Sequence, residues 1–208
     1  MIIERVPCGV YAANCYIVGD ETTKEGIIVD PAGEKDKILN FIQKLGLNIN
    51  YIVLTHGHGD HIGALKKLKE ELDVPVYIHE EDERMIIDKD INLSSQMTME
   101  EVELTPDKLL KDGDEINFGN ITAHIIHTPG HTPGSIVIKI NNKLITGDTL
   151  FKGSIGRTDL PGGSYDKILE SIKNKLLNFD DETSVLPGHG PSSTIGIEKM
   201  SNPFIRNL

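Results

Sequence analysis

Seven consecutive residues, Thr55-His56-Gly57-His58-Gly59-Asp60-His61, set three imidazoles and a carboxylate side by side. Neutral imidazole is the commonest protein ligand for zinc, and a carboxylate suits zinc, iron or manganese. Gly57 and Gly59 have no Cβ, so this spacing predicts a sharply turning backbone that brings neighbouring side chains to one centre. Three later segments can complete that centre. Thr128-Pro129-Gly130-His131-Thr132-Pro133-Gly134 holds a histidine in a turn, Thr146-Gly147-Asp148-Thr149 a carboxylate, and Pro187-Gly188-His189-Gly190 a further histidine. Alone, His131 and His189 would read as turn or surface residues and Asp148 as a cap. The cluster at 56–61 turns them into ligand candidates.

Five histidines and two aspartates are too many for one tetrahedral ion and enough for two. The set divides into His56, His58 and His131 on one ion and Asp60, His61 and His189 on the other, with Asp148 bridging. A shared carboxylate lets two cations sit about 3.5–4 Å apart with a hydroxide between them. Asp60 could also accept a hydrogen bond from that nucleophile and orient it. The expected cofactors are two divalent metal ions, zinc first, with iron and manganese open because availability often decides. The remaining histidines read differently. His79 reads as a helix cap or surface residue, and His124 and His127 as structural side chains or supports for a ligand. Asp30 either orients a ligand histidine or stabilises its own turn.

These residues need elements to hold them. Strand-like runs cover 14–18, 26–29, 51–54, 74–78, 114–118, 121–127, 135–140, 143–146 and 184–186, and each ligand candidate follows one of them. Apolar spacing predicts helices over 35–45, 62–72, 80–88, 164–177 and 195–200. Residues 89–110, with Met97, Met99 and Pro106, read as a long static connection over the surface, a mobile lid being the alternative. Strands come in two groups with helices after each. Two sheets face to face with helices outside would bury them all, in one domain spanning 1–208. There is no evident internal repeat, low-complexity segment or linker.

Composition narrows the partners. Net charge is −11, and the scattered Lys66, Lys67 and Lys69 make no basic stripe, which argues against a nucleic-acid binder. No apolar run is long enough for a membrane span, and Met1-Ile2-Ile3-Glu4-Arg5 does not begin like a secretory signal. A cytoplasmic location is expected, with Cys8 and Cys15 as free thiols. Nothing in the composition fixes the oligomeric state.

Taken in order, these motifs resemble those of the metallo-β-lactamase fold superfamily. The resemblance spans 55–190 and implies an α/β four-layer αββα sandwich with metals at one edge. Gly147-Asp148-Thr149-Leu150-Phe151, followed by Gly156-Arg157-Thr158-Asp159-Leu160-Pro161-Gly162-Gly163, resembles the type II glyoxalase group of hydroxyacylglutathione hydrolases and their small relatives. That group implies hydrolysis of a small-thiol thioester by a metal-held hydroxide. β-Lactamases of this fold typically use cysteine where Asp148 stands, so β-lactam hydrolysis is not expected as the main role. The superfamily's nucleases usually add a domain or an RNA-binding arm, and its flavin-linked diiron members replace His58 by glutamate and add a flavin domain. Larger type II glyoxalases carry a C-terminal helical domain that grips glutathione. Here only 191–208 follow the last motif, so no separate substrate domain is expected and the thiol stays open. Arg157 falls near a basic position that the larger enzymes use for a thiol carboxylate, and it either anchors an acidic substrate or holds its own loop through Asp159. Gly156-Arg157-Thr158-Asp159 also resembles persulfide dioxygenases, which imply one iron on the first ligand set and oxygen as co-substrate. A metal-bound scaffold or sensor without catalysis is the third class.

Overall fold

The computed structural model describes residues 1–98, 100–206 and 208, so Met99 of the 89–110 connection lies outside the described residues. Two six-stranded sheets carry the fold. In the first, β1 (Ile2–Cys8), β2 (Ala13–Gly19) and β3 (Glu25–Val29) pair antiparallel. β4 (Asn48–Val53), β5 (Val76–His79) and β6 (Lys108–Leu110) then add in parallel. Parallel neighbours need crossovers. These are α1 (Lys35–Leu45) before β4, α2 (Gly59–Ile62) and α3 (Leu65–Leu72) before β5, and α4 (Glu83–Ile87) and α5 (Ser94–Met97) before β6.

The second sheet contains β7 (Glu115–Phe118), β8 (Ile121–His127), β9 (Ile136–Ile140) and β10 (Lys143–Gly147) as an antiparallel run. After a small hairpin, β11 (Leu150–Phe151) and β12 (Ser154–Ile155), helix α6 (Tyr165–Ser171) crosses over. It delivers β13 (Ser184–Pro187) parallel to β10, and β14 (Ser193–Thr194) and α7 (Ile195–Ser201) follow.

Period-two side-chain alternation divides the apolar residues into three layers. Tyr16, Val18, Ile27, Val29 and Val53 of the first sheet meet Phe118, Ile125, Ile138 and Ile145 of the second. Cys15, Ile17, Ile28 and Ile52 point the other way, against Ile38 and Ile42 of α1 and Leu65 and Leu68 of α3. Val137, Leu144 and Val185 pack on Ile168, Ile172 and Ile195. Three apolar layers separate four layers of structure, the αββα sandwich expected from the sequence.

Several boundaries differ from expectation. β1 was not evident in the sequence, yet it pairs along its whole length with β2, and Pro7 is tolerated because β1 is an edge strand. The helix expected over 62–72 is two pieces. Ala64 N–H turns aside to Pro31 O at 2.8 Å, and a Cβ on Gly63 would lie 2.4 Å from Ala32 O, so the 30–32 loop occupies the space a straight helix needs. The helix expected over 80–88 opens with a 3₁₀ turn, Glu80–Asp82, before α4. α6 widens into a π turn at Ile172–Leu176, which keeps Ile168, Ile172 and Leu176 all fully buried on the sheet. Residues 89–110 are not a bare surface connection. They form α5 and β6, and buried Asn92 donates to Met85 O and Val102 O, both at 2.8 Å.

Candidate metal centre

The ligand candidates leave the sandwich at one edge. His56 to His61 follow β4, His131 sits in the β8–β9 turn, and Asp148 and His189 follow the parallel strands β10 and β13. Backbone hydrogen bonds fasten these loops together: Ile136 N–H to Thr55 O at 2.8 Å, Gly188 N–H to Gly147 O at 2.7 Å, and Asn14 N–H to Gly188 O at 2.7 Å. The first two glycines act otherwise than expected. Neither Gly57 nor Gly59 adopts a positive φ. They are needed for close packing, because a Cβ on Gly57 would meet Met85 Cβ at 2.5 Å and one on Gly59 would meet Ser94 Cα at 2.7 Å.

All seven candidates are brought together. Ligand atoms of His56, His58 and His131 lie within 4.8 Å of one another, and so do those of Asp60, His61 and His189. Asp148 stands between the groups, with Oδ1 3.3 Å from His61 Nε2 and Oδ2 3.6 Å from His131 Nε2 and 3.7 Å from His189 Nε2. Asp30 groups with His56 and His61 as well, but its role is read from its hydrogen bonds.

Those bonds fix the tautomers. Asp30 accepts from Thr55 N–H at 2.7 Å, Thr55 Oγ1 at 2.6 Å and His61 Nδ1 at 3.0 Å. Since the Thr55 hydroxyl proton goes to Asp30, its oxygen is left to accept from His56 Nδ1 at 3.1 Å. His131 Nδ1 donates to Arg157 O at 2.7 Å. His56, His61 and His131 therefore donate outward and turn Nε2 inward. A neutral ring puts a lone pair on that nitrogen, as in supported metal sites. Inward nitrogens crowd each other: His131 Nε2 is 3.2 Å from His56 Nε2 and 2.9 Å from His58 Nδ1, and His61 Nε2 is 3.3 Å from His189 Nε2. Lone pairs facing one another repel unless a cation lies between them. Bond lengths near 2.0–2.1 Å make the edges of a tetrahedral zinc site about 3.3 Å, close to this spacing.

Electrostatics agree with that fit. Burial, then neighbouring imidazoles, push His56 far below the ordinary histidine value, and burial and His131 bring His58 down to about 3. Both are neutral at physiological pH, the form in which an imidazole can bind a metal ion. Burial opposes charge on His61, but Asp148 and Asp60 override it and hold its pKa well above the ordinary value, which favours a proton on Nε2 that a bound cation would displace. Burial works against ionising Asp60 and Asp148, yet the imidazoles keep both below the usual carboxylate range. Asp148 Oδ1 is buried without a hydrogen-bond partner. A buried anionic oxygen without a donor fits a cation as its partner.

One supporting residue was not visible in the sequence. Fully buried Asp82 accepts from Gly57 N–H at 3.0 Å and Thr132 Oγ1 at 2.7 Å, and from Gly134 N–H at 2.6 Å. It ties the 56–61 loop to the turn bearing His131. His79 does accept from Glu81 N–H, at 3.3 Å, but it is buried rather than exposed and stacks on His127, with ring centroids 3.9 Å apart. His127 Nε2 donates to Pro133 O at 2.8 Å, supporting the same turn, and His124 pairs with Glu115 at the surface. Arg157 lies at the rim, its guanidinium on Asp159 and its carbonyl on His131. The centre opens into a cavity of about 470 Å³.

A sequence profile described as the metallo-beta-lactamase superfamily matches residues 8–189. The chain belongs to this superfamily. Among superfamily relatives, it is 42% identical to a probable metallo-hydrolase, YqgX, of Bacillus subtilis, over 98% of this chain and 97% of the relative. It is 36% identical to hydroxyacylglutathione hydrolase GloC of Haemophilus influenzae, over 100% of this chain and 99% of the relative. Among solved structures, BLEG-1, described as a B3 metallo-beta-lactamase, superposes with a TM-score of 0.92 at 36% identity, over 98% of this chain and 99% of that one. A di-iron-bound form of TTHA1623 gives 0.86 at 36% identity, over 97% and 100%. Metallo-β-lactamase superfamily membership, with these histidine and aspartate groups, supports a metal-dependent hydrolase.

Proposed function

We propose that this chain is a binuclear metallohydrolase that cleaves the thioester of a small thiol. His56, His58 and His131 would hold one divalent ion and Asp60, His61 and His189 the other, with Asp148 shared. The position of Asp148 between two groups of inward-facing ligand atoms carries the reading. When bound, two such ions supply a hydroxide at neutral pH and a positive charge for the developing oxyanion. Zinc is the first expectation, and the di-iron form of a 36% identical structure keeps iron in view.

The protein's own residues place and orient. Asp60 Oδ2 lies 3.2 Å from His189 Nε2, and its side chain borders the cavity, where it can accept a hydrogen bond from the attacking nucleophile. Asp30 keeps His61 and, through Thr55, His56 in the ligand tautomer. Beyond the seven candidates, Tyr11 and Arg157 are the polar side chains among the described lining residues. A site so short of proton donors suits a thiolate, which leaves without a strong acid. The likeness to GloC supports a thioester, and the likeness to BLEG-1 makes a β-lactam the proper comparator.

Elemental analysis of aerobically purified protein, paired with a thiol-release assay on S-lactoyl thioesters, tests this reading. Two metals per chain and chelator-sensitive thioester hydrolysis exceeding β-lactam hydrolysis are expected. One iron per chain with oxygen uptake on a persulfide would overturn it in favour of a mononuclear dioxygenase, and faster β-lactam cleavage would move the substrate class.

A further inference from the structure

The cavity over the metal centre has an uneven lining. Tyr11, Met97, Phe151, Ile155 and Leu160 give it an apolar wall, and Arg157 is the single cation among its described lining residues. That cation is already engaged. Arg157 Nε donates to Asp159 Oδ1 at 2.8 Å and Nη2 to Asp159 Oδ2 at 2.7 Å, a two-pronged contact that uses both carboxylate oxygens. The Arg157 backbone is held as well, through its carbonyl and His131 Nδ1 at 2.7 Å. With both ends fixed, the rim presents a neutral pair beside an apolar wall. A thiol bearing carboxylates, such as glutathione, would find no unpaired cation there.

We propose that the Arg157–Asp159 pair makes this cleft select thioesters whose thiol portion is uncharged, and that Asp159 sets the preference by occupying the guanidinium. This rests on the thioesterase reading and narrows its substrate class. Asp159 is a positioning residue, acting through Arg157. The competing possibility is that a substrate carboxylate displaces Asp159, since both partners are more than half exposed and surface ion pairs are weak.

Metal-loaded wild type, Asp159→Asn and Asp159→Glu would be compared on S-lactoylglutathione and on S-lactoyl-N-acetylcysteamine, which share an acyl group. Binding of the inert S-methylglutathione would be measured in parallel by calorimetry. Wild type should favour the uncharged thioester in kcat/KM. Asp159→Asn should shift the ratio toward the glutathione thioester about three- to tenfold, through KM rather than kcat. S-Methylglutathione should bind tighter by a similar factor, the gain should fade in about 0.5 M salt, and Asp159→Glu should restore the wild-type ratio. A wild type that prefers the glutathione thioester, or an Asp159→Asn change that moves both substrates equally, overturns the proposal. If S-methylglutathione binding follows expectation while neither thioester is cleaved, the role of the pair stands and the thioesterase reading falls.

Discussion

One carboxyl group, that of Asp82, holds two histidine-bearing loops at once. Its two oxygens take two backbone N–H groups and a hydroxyl from opposite sides of the first ligand group, and burial raises its pKa against those donors. In Asp82→Asn an amide NH₂ would face a donor that now meets an oxygen. Leaving one buried donor unpaired costs about 1–3 kcal/mol, so the melting temperature should drop by several degrees. The more specific effect should fall on metal binding. Loss of an outer support typically weakens a site about 10–100-fold. Calorimetric metal titration of the apo protein should show this weakening in the group of His56, His58 and His131, with the group of Asp60, His61 and His189 less affected. Equal weakening of both would mean that Asp82 merely stabilises the fold. At this scale the sequence was legible where chemistry dictates residue type: a dense histidine run has few structural causes, so the seven candidates stood out. Asp82 did not, because Glu80-Glu81-Asp82-Glu83 looks like the acidic start of any exposed helix. Only the fold turns this acid inward.

Elements were legible where a local signal sets them. α1 has both apolar spacing and a glycine stop: Gly46 takes φ +65° and its N–H closes on Gln43 O and Ile42 O. A Cβ there would meet nothing within 4 Å, so Gly46→Ala isolates backbone strain from packing. It should cost about 1 kcal/mol, read as a lower urea midpoint with an unchanged slope, and metal affinity should not change because α1 bears no ligand candidate. A larger loss would show that α1 ends otherwise. Where tertiary contacts decide, local signals misled. The break at Gly63-Ala64 comes from Pro31 and Ala32, far earlier in the chain, and β6 exists because β5 offers it an edge. Short β11, β12 and β14 carry too few residues for any period to show.

At the scale of the whole molecule, the two sheets are also tied through polar contacts away from the metal centre. Asp20, just past β2, accepts from Thr22 N–H at 2.8 Å in its own turn, and from Asn120 N–H at 2.6 Å and Nδ2 at 2.8 Å in the β7–β8 turn of the other sheet. Glu25 joins it by accepting from Gly119 N–H at 2.6 Å. Nothing in the sequence links residues a hundred positions apart, so this clasp could only be seen in the fold. It makes a pH-dependent contribution whose sign follows from its donors. The N–H groups of Asn120 and Thr22 lower the Asp20 pKa from 3.8 to about 2. A carboxylate that is more acidic when folded stabilises the native state above the unfolded pKa, and this stabilisation disappears as pH falls through the folded one. The clasp should therefore be intact at pH 5 and lose its contribution between about pH 4 and 2. Other carboxylates titrate in the same window, so the measurement must be a difference. Melting curves of metal-free wild type and Asp20→Asn from about pH 6 to 2 should be well separated at the upper end, draw together below about pH 4 and meet only near pH 2. A constant separation across that range would mean that Asn at this position loses shape or packing rather than charge, and that the clasp is not electrostatic.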